Sequence, residues 1–171
     1  MIISERETET HLYFLRGVLS NFEKCYIKYK GHLFATTEQA FMWEKAIFFN
    51  DHESASKILK EENPTKAKKL GREVKNFDDS LWSKVCYDFM YKVNYEKYSQ
   101  NTRLKNILLN TGDKILVEAN GAPDNRWSCG LYADNDKILN KSNCHNTVTK
   151  TSHHICPRDV RTFVSAFFEQ I

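Results

Sequence analysis

Residues 80 to about 98 carry Trp82, Val85, Cys86, Phe89 and Val93 at three- and four-residue intervals, with polar and charged residues between them. An apolar stripe of that period comes together only on a helix, and so long a helix must lay its stripe against other elements to hide it. The rest of the chain therefore has to supply packing partners. Its 171 residues, 41% of them hydrophobic, are sufficient, since a domain of about 150 residues hides roughly 70% of its unfolded surface.

Shorter helices surround the long one. Thr36 followed by Gln39 has capping-box spacing and opens a helix reaching about residue 49. Asp51 starts a second, with Ala55, Ile58 and Leu59 on one face. Asn63-Pro64 reads as a cap with proline at the first helical position, and Gly71 stands where that helix is expected to end. Asn101 caps a helix carrying Leu104, Ile107 and Leu108, closed by Gly112; Pro157 opens a last one with Val160, Phe163, Val164, Phe167 and Phe168 on its apolar side. The strand signals are short: residues 11–15, a hairpin of Tyr26-Ile27-Lys28-Tyr29 and Leu33-Phe34 about Lys30-Gly31, and Ile115-Leu116-Val117. No repeat, low-complexity tract or linker divides the sequence. The expected fold is a helix-dominated α+β single domain over 1–171 with a small β-sheet.

Lys plus Arg number 25 against 22 Asp plus Glu, a formal charge of +3. That bias suits a phosphorylated ligand and is too weak for wrapping a nucleic-acid duplex. The densest basic cluster, Lys66/Lys68/Lys69/Arg72, reads as a solvated helix face. Aromatics at 13% fill a core or line a cleft. Five cysteines (Cys25, Cys86, Cys129, Cys144, Cys156) form an odd set without CxxC spacing. With no apolar run near membrane-spanning length and no leader pattern, a cytoplasmic, reducing setting with free thiols is expected, with no membrane partner. Cys144-His145 and His153-His154-Ile155-Cys156 bring metal-ligand types close together, but neither half has standard zinc spacing, so no metal is expected.

Two places concentrate chemistry. Glu38 and Lys45 share one helix and lie about 20° apart around its axis and roughly 10 Å apart along it. Phe41, Met42, Phe48 and Phe49 are near the same side. Charges on an apolar stripe are expensive unless they face a cleft or a partner. The bland reading has Glu38 favouring the helix N-terminus and Lys45 snorkelling to water. The second place runs from Gly121 through Pro123, Asp124, Arg126 and Trp127 to Gly130. There Asp offers an acceptor or base and Trp a flat face for a base or sugar. The bland reading is an Asx-type turn with a tucked tryptophan.

These segments resemble the NADAR/YbiA-like family of small N-glycosidases. Ser20-Asn21-Phe22 looks like its S-N-F. Thr37-Glu38-Gln39-Ala40-Phe41 with Lys45-Ala46 resembles its [ST]-E-H-x-[YF]…K-[AF] helix. Leu70-Gly71-Arg72 matches [LM]-G-R, and Trp82 falls at the following tryptophan. Leu108-Leu109-Asn110-Thr111 with Leu116-Val117-Glu118 looks like L-L-x-T…L-V-E, and Asp124-Asn125-Arg126-Trp127, then Gly130, corresponds to D-x-x-W. These pieces occur in the family's order over about residues 19–131. Residues 143–156 depart: Asn146-Thr147-Val148 and two histidines stand where the family has N-x-[LM]-G-x-x-L-M. That segment helps to shape the family's pocket, so the departure bears on substrate identity more than on reaction type.

The resemblance implies hydrolysis of a ribosyl C–N bond in a small phosphorylated nucleotide-like substrate. The family's substrates are ribosylamino-pyrimidine phosphates of the riboflavin pathway and ADP-ribose on guanine bases, including ADP-ribosylated nucleic acid. It implies that Glu38 activates the nucleophile or the ribose hydroxyls, and that Asp124 orients the leaving base or shares proton transfer. Trp82 and Trp127 are expected to wall the site and Asn21 to hydrogen-bond the sugar, with Phe22, Arg72 and Gly130 also binding substrate. Lys45 has three open roles: contacting phosphate, holding Glu38 ionised, or attacking an opened ribose as an amine. No cofactor is implied. A reading from another class is a non-catalytic nucleotide or ADP-ribose binding module. The trio Glu38, Lys45 and Asp124 favours the enzyme, since binding alone needs no such set. EDTA-treated protein is expected to stay folded and active. Stoichiometric zinc by elemental analysis, with activity lost on its removal, would instead make Cys144, His145, His154 and Cys156 ligands.

Overall fold

The computed structural model describes residues 4–121, 127 and 130–135. In chain order its elements are β1 (Ser4–Glu7), β2 (His11–Phe14), β3 (Ile27–Tyr29), β4 (His32–Phe34), α1 (Thr37–Phe48), α2 (His52–Leu59), α3 (Pro64–Arg72), α4 (Asp79–Gln100), α5 (Thr102–Leu109) and β5 (Ile115–Glu118). This is the expected α+β class with helices dominant. The helix expected after Pro157 lies outside the described residues. Among the described residues no helix is long and apolar enough to cross a membrane.

The chain gathers into two compact units, one of residues up to Ser20 with those from Asn106 onward, the other Asn21–Lys105. The first holds a three-stranded sheet of order β1-β2-β5, antiparallel between β1 and β2 and parallel between β2 and β5. Leu12 sits opposite Leu116 and Tyr13 opposite Val117. Tyr13, Val117, Ala119 and Ala133 form a small core there, with Ile115 and Leu131 against it. The expected strands at 11–15 and 115–117 are both present. β1 was not signalled, because Ser-Glu-Arg-Glu has no apolar alternation. An edge strand needs only the backbone pairing that β2 gives it.

The second unit is built on α1, which packs against α2, α3 and α4. Residues 37–46 of α1 are all buried, polar and charged ones included. Its N-terminus shows how the sequence sets it. The Thr36 hydroxyl accepts the Gln39 N–H at 3.1 Å. Gln39 does not return the bond to the Thr36 amide, as a capping box would. Its Oε1 accepts from the Ala35 N–H at 2.7 Å, while its Nε2 donates to the Ile58 and Leu59 carbonyls at 2.9 and 3.1 Å. One buried amide thus fixes the start of α1 and the end of α2 together.

The expected hairpin is β3–β4, and both Lys30 (φ 47°) and Gly31 (φ 81°) are left-handed, as a two-residue type I′ turn requires. Asp51 caps α2 through Ser54 N–H and also accepts the Lys75 N–H at 2.9 Å. These donors, Lys75 first, hold the Asp51 carboxyl at about 2. Its contribution to stability is therefore complete above the ordinary carboxylate range of about 4 and is lost as pH falls toward the folded value. Asp78 caps α4, accepting from Ser80 and Leu81.

The role expected of Gly71 is corrected by the structure. α3 continues through Arg72, and Gly71 lies inside its last turn. A Cβ on Gly71 would lie 2.1 Å from Met42 Sδ and 3.0 Å from Met42 Cβ, so glycine is there to let α3 approach α1.

Gln39→Leu preserves side-chain size but removes the partner of the Ala35 amide and the Leu59 carbonyl. Urea unfolding is expected to show a loss of about 3 kcal/mol, the scale of stranded buried polar groups. A loss below about 1 kcal/mol would show that the clamp contributes no more than an ordinary exchange of hydrogen bonds with water.

Candidate active site

α1 brings two buried charges to the face that α3 covers. Glu38, 4% exposed, follows Asn21 in space: its N–H donates to the Asn21 carbonyl at 3.0 Å. Lys68 of α3 places its ammonium 3.9 Å from Glu38 Oε1. The same ammonium stands 5.5 Å from the ring centre of Phe22, which is 37% exposed. Asn21, Phe22, Glu38 and Lys68 therefore form one constellation: a carboxylate, a cation, an aromatic face and an amide.

Asn21 is oriented by two donors. Its Oδ1 accepts from the Thr37 hydroxyl at 3.1 Å and from Asn94 Nδ2 at 3.0 Å. With the oxygen so occupied, the amide NH2 is turned to act as a donor, and it makes no hydrogen bond among the described residues. That is the polarity a sugar hydroxyl oxygen requires. Asn94, on α4, was not singled out in the sequence, where it is one polar residue in a long amphipathic helix.

Lys45 sits one α3 turn further along. Its Nζ donates to the Gly71 carbonyl at 2.8 Å and lies 3.9 Å from the ring centre of Phe77. The carbonyls in the last turn of a helix lack intrahelical partners, and a cation is favourable beside them. Lys45 thus completes the C-terminal end of α3. Arg72, in the same last turn, is exposed.

Trp82 is 4% exposed and lies inside an aromatic cluster, with ring centres at 5.3 Å from Phe41, 6.1 Å from Phe48 and 5.8 Å from Phe89. Its ring locks α4 onto α1. Glu44, a third buried charge on α1, meets the Tyr29 hydroxyl and, at 2.6 Å, the Lys30 ammonium, tying the hairpin to the helix. Burial, with the Glu44 bond added, pushes the Tyr29 phenol up. Another amine, Lys97, is fully buried, and burial pulls it down to about 8.

In the other unit, Trp127 is half-buried and Gly130 adopts φ 70°. Asp124 lies outside the described residues, as do Cys144, His145, His154 and Cys156. Cys25 and Cys86 are both buried. Among the described residues, no group of three His, Cys, Asp or Glu side chains could hold a metal ion.

Comparison with known proteins extends the resemblance beyond the motifs. The NADAR domain family matches residues 7–151. Protein irg-1 of Caenorhabditis elegans is 42% identical over 100 residues, covering 57% of this chain and 47% of that protein. N-glycosidase R617 of Acanthamoeba polyphaga mimivirus is 39% identical over 100 residues, 58% of each chain. The matched stretch is thus about half the length of these relatives. The NMR structure of the E. coli protein YbiA superposes with a TM-score of 0.63 at 28% identity, covering 75% of this chain and 77% of that one.

Lys45→Met keeps the length of the side chain but removes the ammonium from the Gly71 carbonyl and the Phe77 ring. A loss of about 2–3 kcal/mol in chemical denaturation is expected, from one charged hydrogen bond and one cation–π contact. An unchanged unfolding midpoint would mean that Lys45 serves ligand alone.

Proposed function

Because this chain belongs to the NADAR family, we propose that it is an N-glycosidase that hydrolyses a ribosyl C–N bond in a phosphorylated, nucleotide-like substrate. ADP-ribose on guanine and ribosylamino-pyrimidine phosphates are the substrate classes. The observation that carries the reading is Glu38: a carboxylate 4% exposed, next to a cation and beside an amide whose oxygen is already occupied by two donors. Folding tolerates such a buried charge only where it is partnered.

Breaking the bond between ribose C1 and nitrogen develops positive charge on the sugar and leaves an electron pair on the departing nitrogen. Glu38 stabilises the sugar cation and takes a proton from the attacking water, whose oxygen forms the new bond to C1. Asn21 donates to a ribose hydroxyl and fixes the ring against Glu38. The leaving nitrogen is protonated as it departs, the part given to Asp124. The nucleophile is water rather than Lys45, whose ammonium already serves the Gly71 carbonyl at 2.8 Å.

Glu38→Gln keeps the shape and helix propensity while removing the charge. Turnover is expected to fall at least ~100-fold, the scale of acid–base and electrostatic groups. Ligand affinity and thermal stability should change little. Turnover near the wild-type rate would remove Glu38 from the mechanism.

A further inference from the structure

The sequence leaves a phosphate role open for Lys45 and reads Lys68 as part of a solvated helix face. The structure gives the two lysines different surroundings. Lys45 is 9% exposed, with its ammonium on a backbone carbonyl and over a ring. The Lys68 side chain is 30% exposed, and its ammonium lies 3.9 Å from Glu38 Oε1, beyond hydrogen-bonding reach. Among the described residues the Lys68 ammonium makes no hydrogen bond; its other contact is the Phe22 ring at 5.5 Å. It is a cation held beside the candidate carboxylate with its N–H donors open to a ligand.

We propose that Lys68 is the anion-binding, specificity-determining residue of this site, taking the phosphate of a ribosyl phosphate whose sugar lies against Glu38. For the sugar end the proposal rests on the N-glycosidase reading. The phosphate end stands on charge. A buried carboxylate repels a phosphate brought within a sugar's width of it, so a ligand carrying both ribose and phosphate needs a cation between the two anions. Lys68 occupies that place. Its helix adds Lys66, Lys69 and Arg72 and has no acidic residue. All four charges fall on a nine-residue helix, mostly within a Debye length of about 8–10 Å of Lys68. Within α3 four basic residues face one partnering carboxylate, Glu38. The Phe22 ring, 5.5 Å from the Lys68 ammonium, adds an aromatic face beside it.

The test uses ribose 5-phosphate and ribose as probes in calorimetric titration, which needs no turnover. Wild-type protein is expected to bind ribose 5-phosphate at least about 10-fold more tightly than ribose, a preference that shrinks at high salt. Lys68→Met should lose most of that preference, Lys68→Arg should keep it within a few-fold, and ribose affinity should not move. In the wild-type chain, ribose 5-phosphate should also protect Lys68 from amine acetylation read by mass spectrometry, a measurement that needs no variant. Equal binding of the two sugars by the wild type, no binding of either, an unaltered preference in Lys68→Met, or an unprotected Lys68 would overturn the assignment. Selective ribose 5-phosphate binding without base release would leave Lys68 in place and remove the glycosidase reading instead.

Discussion

Where α3 crosses α1, Gly71 stands so close to Met42 that a single methyl group would lie 2.1 Å from the sulfur. The contacts of α3 with the candidate site depend on that approach. It brings the Gly71 carbonyl to Lys45 and the Lys68 ammonium to Glu38, so two contacts with α3 answer the two buried charges that α1 carries on this face. Moved outward by the width of a side chain, α3 would take the Gly71 carbonyl from Lys45 and the Lys68 ammonium from Glu38, and weakening the partners of buried charges costs more than the roughly 1 kcal/mol that glycine costs inside a helix. The glycine and the charges are one device.

The same logic explains how α1 can be buried through residues 37–46 and still hold Glu38, Glu44 and Lys45. Each charge is met by a different neighbour: Lys68 from α3, the Tyr29–Lys30 turn of the hairpin, and the carbonyl end of α3. Gln39 adds the C-terminal end of α2. A polar stripe inside a helical core thus positions three surrounding segments, and the aromatic cluster about Trp82 supplies the apolar burial that holds α4 against α1. Such buried pairs give modest net stability but penalise wrong arrangements strongly. That is the property a site needs if its carboxylate is to stay in one place.

The helices were legible because their ends are written locally: Thr36, Asp51 and Asn63-Pro64 begin helices where their cap chemistry says they should. The hairpin was legible from Lys30-Gly31 for the same reason. Features set by a distant partner were not. Gly71 has the appearance of a helix end because nothing in Leu70-Gly71-Arg72 reveals Met42 on the other side. Lys68 resembles its neighbours Lys66 and Lys69, and only the fold shows which of them turns toward Glu38. Asn94 is hidden in the same way, its role being to aim Asn21. Glu38 and Lys45 were visible as charges out of place on an apolar stripe, but that one meets the Lys68 ammonium and the other the Gly71 carbonyl is decided by α3. β1 carried no pattern, since an edge strand needs none.

The central claim is that this arrangement breaks a ribosyl C–N bond. The most direct measurement is to incubate the protein separately with an ADP-ribosylated guanine oligonucleotide and with a ribosylamino-pyrimidine phosphate, and to assay free base and newly reducing ribose. Stoichiometric release of both products from at least one substrate is the predicted result. Tight binding of these substrates with no base released from either would contradict it and make the protein a binding module.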